Sequence, residues 1–151
     1  MRLSHRFLLF LLSVLAPLVA AAQYRMMPAM PAPEREVRAV WLTTLMGLDW
    51  PRTKANSDER RQRQKDELLR TLDALQQAGI NTVMLQTRVR STTIYPSALE
   101  PWDECLSGTY GRSPGYDAMA FAIEACHVRG MQVHAWVVAF PICSVAQARQ
   151  Q

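Results

Sequence analysis

The sequence predicts an α/β fold in which parallel strands alternate with helices. Three runs rich in β-branched and aromatic residues, at 37–44, 80–88 and 131–140, are separated by two helical patterns. Such alternation calls for parallel strands joined by right-handed crossovers. Each strand leads to its helix through a long loop, whereas each helix returns through a short glycine turn. Because the loops after the strands carry the site in parallel α/β folds, we expect the functional residues there.

The two faces of the second and third strands differ, which favours a barrel. In both 80–88 and 131–140, aliphatic side chains alternate with polar, aromatic or sulfur-containing ones. A doubly wound sheet requires two apolar faces because helices cover both, whereas a barrel requires only an apolar outer face. The sequence therefore predicts the N-terminal part of a (β/α)8 TIM barrel, about three β strands and two helices, with a flavodoxin-like sheet as the alternative. The residues of the second face are Met84, Gln86 and Arg88, then Gln132, His134 and Trp136.

Both helices have recognisable ends. Ser57 is a candidate N-cap for a helix that runs to about Gln77, with Gly79 just beyond it. Asp117 is the corresponding cap of "AMAFAIEACHVR", and Gly130 ends that helix. The apolar stripe of the first helix consists of Leu68, Leu72 and Leu75.

The chain divides into three parts. Residues 1–22 combine a basic start, an apolar run and small residues ending at Ala22, which predicts a cleaved signal peptide. The apolar run is short for a membrane span, so we expect a secreted or periplasmic protein without a stable span after cleavage. Residues 23–35 are rich in Pro and Met and read as a linker or tail. Residues 36–151 form the barrel domain, and since a whole barrel takes about 250 residues, we expect a longer protein truncated here at the C-terminus.

Charge and cysteine usage exclude several function classes. The chain has 17 basic and 13 acidic residues, and the bases alternate with acids along "SDERRQRQKDELLR", which argues against a nucleic-acid partner. The cysteines Cys105, Cys126 and Cys143 match no metal pattern, and no Gly-rich phosphate loop opens either helix. We therefore predict no metal and no other cofactor. Cys126 is predicted to lie in the core, and export would permit a Cys105–Cys143 disulfide.

Polar and aromatic side chains at the ends of two strands predict a sugar site. Gln86 and Arg88 are suited to hydrogen-bond sugar hydroxyls or a carboxylate, although Arg88 in an internal salt bridge fits equally well. His134 and Trp136 share a face, where an indole can stack on a pyranose ring and an imidazole can bond a hydroxyl. Tyr95 lies in the long loop after the second strand, where an aromatic ring also fits carbohydrate contact.

Several segments together resemble a known family. "EVRAVWLTT", "LDWP", "LQTRVRSTTIYPSALEPW" and "CLSGTYGRSPGYDAMAFAIEACHVRGMQVHAWVV" are similar to the N-terminal part of the glycosyl-hydrolase-like 10 family of bacterial envelope proteins. The resemblance covers roughly residues 36–151. Many members have a Gly-Asp pair where this chain has Ser91-Thr92, and an Asn-Pro-Tyr segment where it has "VVAF" after His134-Ala135-Trp136.

This resemblance implies a (β/α)8 barrel that acts on glycans. In related barrel glycosidases the acid/base carboxylate follows the fourth strand, so the catalytic residues are expected beyond Gln151 and the chain alone is expected to be inactive. The leading hypothesis is an exported glycoside hydrolase acting on a polysaccharide or a peptidoglycan glycan. A non-catalytic glycan-binding envelope protein is the main alternative, and a metal-dependent sugar-phosphate or deacetylating enzyme is a weaker one. The pocket residues that the resemblance implies are Trp41, Gln86, Arg88, Tyr95, His134 and Trp136.

Overall fold

The computed structural model describes residues 36–140. The predicted signal peptide, the predicted linker 23–35 and the segment 141–151 lie outside this range. Strands and helices alternate as the sequence predicts, with a short hairpin and a short helix added in the second long loop. The elements are β1 (Ala39–Leu42), a 3-10 turn (Leu45–Gly47), α1 (Asp58–Gln77), β2 (Thr82–Val89), β3 (Thr92–Thr93), α2 (Glu104–Ser107), α3 (Ala118–His127) and β4 (Gln132–Val137).

β2 is the central strand of the sheet and lies parallel to β1 on one side and to β4 on the other. The parallel strands therefore stand side by side in chain order, as successive strands of a barrel do. In a flavodoxin-like sheet the first strand lies between the second and the third, and this order is not adopted here. β3 pairs antiparallel with the last residues of β2 and forms a tight hairpin at the carboxyl end of the sheet.

α1 begins and ends where its sequence signals predict. The Ser57 side chain accepts a hydrogen bond from the Arg60 amide at 3.3 Å, and two acidic residues occupy the first turn. Gly79 follows the helix with φ +79°, a conformation that glycine adopts without a steric penalty. Leu68 and Leu72 are fully buried, so the predicted apolar stripe faces the sheet.

α3 packs closely because its buried face consists of small side chains. Asp117 caps it by accepting a hydrogen bond from the Ala120 amide at 2.9 Å. The aliphatic side chains Val83 and Leu85 of β2 join α1 and α3 in one hydrophobic core, each with 1% of its surface exposed. The prediction that Cys126 belongs to the core is confirmed. The buried residues of α3 are Ala118, Ala122, Ala125 and Cys126.

The long loops are tied to α1 by a buried amide. Gln64 is completely buried, and its Nε2 donates to the backbone carbonyls of Thr53 at 2.6 Å and Leu106 at 2.9 Å. Its Oε1 accepts from the Tyr116 hydroxyl at 2.6 Å. Every hydrogen-bonding atom of this amide side chain therefore has a partner, as burial requires. One glutamine thus connects both strand-to-helix loops with the helix that packs behind them.

No helix among residues 36–140 is long and apolar enough to cross a membrane.

Replacing Gly115 with alanine is expected to destabilise the protein by about 2 kcal/mol. Gly115 has φ +83°, and a Cβ there would come within 2.5–2.9 Å of the Arg61 guanidinium, whose Nε donates to the Pro114 carbonyl. Gly130→Ala is the matched control, since φ is +68° but no atom lies within 4 Å of the new Cβ. Urea unfolding should show a larger decrease in the free energy of unfolding for Gly115→Ala than for Gly130→Ala. Equal decreases would mean that the Arg61 side chain moves aside without destabilising the protein.

Candidate functional site

The inner face of the sheet, which points away from α1 and α3, carries an aromatic pair. Trp41 of β1 aligns with Met84 of β2, which in turn aligns with His134 of β4. Trp136 aligns with Gln86, so it stands one step closer to the carboxyl ends of the strands. The rings of Trp41 and Trp136 meet edge to face, with centroids 5.0 Å apart and planes at 88°. Two tryptophans from strands on either side of β2 therefore meet over the central strand.

The described residues leave much of the aromatic surface of this pair uncovered. Trp41 is 61% exposed, a high fraction for an indole, and Trp136 is half-buried. His134 is exposed on the same face, where it can reach a ligand that covers the indoles. An apolar ring face beside an imidazole suits a sugar, which offers both C–H groups and hydroxyls.

Gln86 holds the loop that follows β1. It is 2% exposed, and its Oε1 accepts hydrogen bonds from the Thr43 hydroxyl at 2.6 Å and from the amides of Thr44 at 3.0 Å and Leu45 at 2.9 Å. Asp49 adds a further acceptor by bonding the Thr43 amide at 2.8 Å. The side-chain oxygen of Gln86 thus holds the first residues of the loop in place.

Arg88 holds two other segments of the same end of the sheet. Its guanidinium forms a two-pronged salt bridge with Glu100, with Nε 2.8 Å from Oε2 and Nη2 2.5 Å from Oε1. Nη1 donates to the carbonyls of Val138 at 2.6 Å and Ala139 at 3.2 Å, directly after β4. The hydrogen bond to Glu100 raises the pKa of Arg88. The internal salt bridge considered above is therefore present, and its acid comes from the loop that follows β3.

Tyr95 and two loop tryptophans are packed inward. Tyr95 and Trp102 are each half-buried against the hydrophobic core, and Trp102 forms a β-bridge with Thr93. Trp50 is 1% exposed and donates its indole N–H to the Gln64 carbonyl at 2.9 Å. Both tryptophans thus anchor loops.

The structure thus divides the six predicted site residues into two groups. Trp41, His134 and Trp136 share the open inner face, whereas the polar groups of Gln86 and Arg88 engage neighbouring loops and Tyr95 packs at the loop base. Direct contact of all six with substrate stays a prediction.

The sequence did not indicate a charged cavity between the two long loops. It measures about 240 Å³ and lies at the carboxyl ends of β1 and β2. Its lining residues come from positions far apart in the chain, so no local pattern marks them. The charged ones are Lys54, Arg90, Asp103 and Glu104.

Within residues 36–140 no group of histidine, cysteine and acidic side chains is arranged to hold a metal ion.

The cysteines of the described region are buried free thiols, Cys105 and Cys126. Cys143, the partner considered for Cys105, lies outside the described residues. Burial raises the pKa of both thiols, that of Cys126 to about 11, and the nearby Asp103 carboxylate adds to the effect at Cys105. Reactivity resides in the thiolate, so both groups should be inert near neutral pH.

We expect Cys105 and Cys126 to resist iodoacetamide at pH 8 until a denaturant is added. Because the pKa of Cys126 is higher in the folded state than its ordinary 9.0, its contribution to stability is complete below about pH 9 and declines as the pH rises toward 11. Peptide mass spectrometry after alkylation measures both sites separately. Rapid modification of Cys105 in the native protein would contradict the burial.

Sequence comparison places these features in a known family. Residues 36–149 match the glycosyl hydrolase-like 10 family. The chain is 43% identical over 103 residues to "Glycosyl hydrolase YngK" of Bacillus subtilis, an alignment that covers 68% of this chain and 20% of the relative. It is 39% identical over 104 residues to "Glycosyl hydrolase DigH" of Escherichia coli K12, covering 66% of this chain and 24% of the relative.

The chain therefore spans about a fifth to a quarter of the length of these curated relatives. The family is one of barrels, and the sequential parallel strands of the structure agree with the predicted first part of a (β/α)8 fold. The family match extends over the whole sheet and both long helices, so the chain belongs to the glycosyl hydrolase-like 10 family.

Proposed function

We propose that the protein is an exported glycoside hydrolase whose substrate is a polysaccharide or a peptidoglycan glycan. The observation that carries the proposal is the Trp41–Trp136 pair on the inner face of the sheet, which His134 shares. Membership of a glycosyl hydrolase-like family and the names of the two relatives support glycosidic-bond cleavage as the reaction. Export rests on the signal-peptide pattern of residues 1–22.

In this proposal the described residues bind and position the sugar. The indoles stack on the C–H face of a ring, and His134 hydrogen-bonds a hydroxyl group. Gln86 and Arg88 act through the loops they hold, because their polar atoms are already engaged with Thr43–Leu45, Glu100 and the end of β4. Cleavage through an oxocarbenium-like transition state takes two carboxyl groups about 5–10 Å apart. We propose that residues after Gln151 supply them.

The reaction is tested by incubating the complete protein with purified peptidoglycan glycan and with a panel of neutral and acidic polysaccharides. New reducing ends, measured over time, are expected for at least one substrate. Binding without new reducing ends in every case would favour the alternative, a non-catalytic glycan-binding protein on the same barrel. If the protein neither binds nor cleaves any of these glycans, both the hydrolase and the glycan-binding proposals are refuted.

Trp41→Ala and Trp136→Ala should each weaken glycan binding about 10-fold. Each change removes an aromatic contact worth about 1 kcal/mol, together with the apolar surface that the ring buries against the sugar. Val128→Ala is the control, since Val128 directly follows α3 behind the sheet and is 75% exposed. Titration calorimetry with the best substrate of the panel measures the change. Unchanged affinity in both tryptophan variants would remove the inner face from the site.

A further inference from the structure

The cavity at the carboxyl ends of β1 and β2 has the hydrogen-bonding groups of a ligand site. Its volume of about 240 Å³ is below the range typical of drug-sized ligands, about 300–1,000 Å³, so it suits a single sugar ring or less. Leu45 and Met46 supply apolar surface, and four charged side chains supply the rest. These residues come from both long loops, which in parallel α/β folds are the functional ones.

The acidic side chains of the cavity play different parts. Asp103 is 8% exposed, and both of its oxygens are occupied, Oδ1 by the Cys105 amide at 2.7 Å and Oδ2 by the Thr92 hydroxyl. It is therefore a structural cap of α2. Glu104 is exposed at the rim, and its carboxylate accepts no hydrogen bond from any residue of the described region.

The basic side chains retain unused donors. The Lys54 ammonium donates one hydrogen bond to the Cys105 carbonyl at 3.0 Å. Arg90 makes no hydrogen bond and no ion pair with any residue between 36 and 140. A guanidinium has five donors in a planar fork that matches a carboxylate. The hydrogen-bonding groups of the cavity that no described residue occupies are thus donors from Arg90 and Lys54 and an acceptor from Glu104.

Arg90 occupies a backbone position that a different residue would fill with less strain. Val89 pairs with Thr92, so Arg90 and Ser91 are the central residues of a two-residue hairpin, with φ +52° and +57°. Such turns favour Asn-Gly, because both positions require positive φ. Non-glycine residues in this region cost about 1–3 kcal/mol each and are concentrated at functional sites. An arginine at this position, whose guanidinium has no partner among the described residues, agrees with a ligand-binding role.

We propose that this cavity binds an acidic sugar, with its carboxylate on Arg90 and Lys54 and its hydroxyl groups on Glu104. A simple anion would use only the donors, whereas a neutral sugar would leave the guanidinium fork without its best partner. An acidic sugar uses both the donors of Arg90 and Lys54 and the acceptor of Glu104. The inference rests on the proposed function, because an acidic-sugar ligand presupposes a protein that acts on glycans.

The test uses the complete protein and three probes: glucuronic acid, glucose and acetate. Glucuronic acid should bind at least 10-fold more tightly than either of the other two by calorimetry, and added salt should weaken it. Equal binding of acetate would leave an adventitious anion site only, and equal binding of glucose would show that the carboxylate is not recognised. Either result, or no binding of glucuronic acid, overturns the inference.

Variants at the hairpin separate binding from folding. Arg90→Asn removes the guanidinium but suits the turn, so we expect a higher Tm together with a 10- to 100-fold weaker affinity for glucuronic acid. Arg90→Lys should retain part of the affinity, and Ser91→Gly should raise Tm with affinity unchanged. A higher Tm with unchanged affinity in Arg90→Asn would exclude Arg90 from the site.

These outcomes are distinct from those of the proposed function. A protein that cleaves neutral polysaccharides and shows no Arg90-dependent binding loses only the acidic-sugar inference. If the protein binds glucuronic acid through Arg90 but releases no reducing ends, only the proposal of hydrolysis is refuted.

Discussion

Gln64→Leu is expected to lower the free energy of unfolding by about 3–5 kcal/mol. Leucine has similar volume but no polar atoms. The Thr53 carbonyl and the Tyr116 hydroxyl would lose their partner, and the Leu106 carbonyl would keep only its bond from the Ala55 amide. Each unsatisfied buried group costs about 1–3 kcal/mol. Burial raises the pKa of Tyr116, which keeps its hydroxyl protonated as a donor. Urea unfolding followed by tryptophan fluorescence measures the loss.

Gln62→Leu is the matched control for this change. Gln62 lies on the exposed side of the same helix, and its side-chain amide donates to Asp66, four residues away, at 2.9 Å. Its replacement should change stability by less than about 0.5 kcal/mol. Tyr116→Phe adds a double-mutant cycle, in which the losses for Gln64→Leu and Tyr116→Phe should fall short of additivity. Equal effects at Gln62 and Gln64 would refute the buried network.

Gln86→Leu is expected to release the loop after β1 and to cost about 2–5 kcal/mol. The amides of Thr44 and Leu45 and the hydroxyl of Thr43 would lose their common acceptor. Thr44 is fully buried, so water does not replace the missing oxygen there. Hydrogen exchange should accelerate at the Thr44 and Leu45 amides. Glycan binding should weaken as well, since this loop adjoins Trp41 and supplies Leu45 and Met46 to the charged cavity.

Two further variants test whether the loss of the Gln86 hydrogen bonds is what releases the loop after β1. Gln132→Leu makes the same chemical change at an exposed position of β4 and should leave loop exchange unaltered. Gln86→Glu keeps an acceptor for the three donors, so its loop should exchange more slowly than that of Gln86→Leu. Unchanged exchange at Thr44 and Leu45 in Gln86→Leu would show that the loop is held by other contacts.

The elements were largely predictable because their signals are local. Ser57 and Asp117 cap the helices as predicted, since a cap depends only on residues within one turn. The strands were placed within a few residues, although β1 is shorter than the run 37–44 suggested. The hairpin at Arg90-Ser91 was not predicted, because these residues lack the usual Asn-Gly signal.

The candidate site was only partly predictable. Alternation along the strands correctly assigned Gln86, Trp136 and His134 to one face, because side-chain direction in a strand follows from position alone. Alternation does not reveal what a side chain contacts across a loop. That Gln86 bonds the β1 loop and Arg88 bonds Glu100 depends on segments brought together by folding.

The sequence by itself determined the order of strands and helices, their caps, the apolar faces and the family to which the chain belongs. Only the tertiary structure decided that β2 is central, that Trp41 meets Trp136 over it, and that Lys54, Arg90 and Glu104 enclose one cavity. The physical reason is that periodicity and capping act over a few residues, whereas a site is assembled from loops whose meeting depends on the packing of the whole sheet.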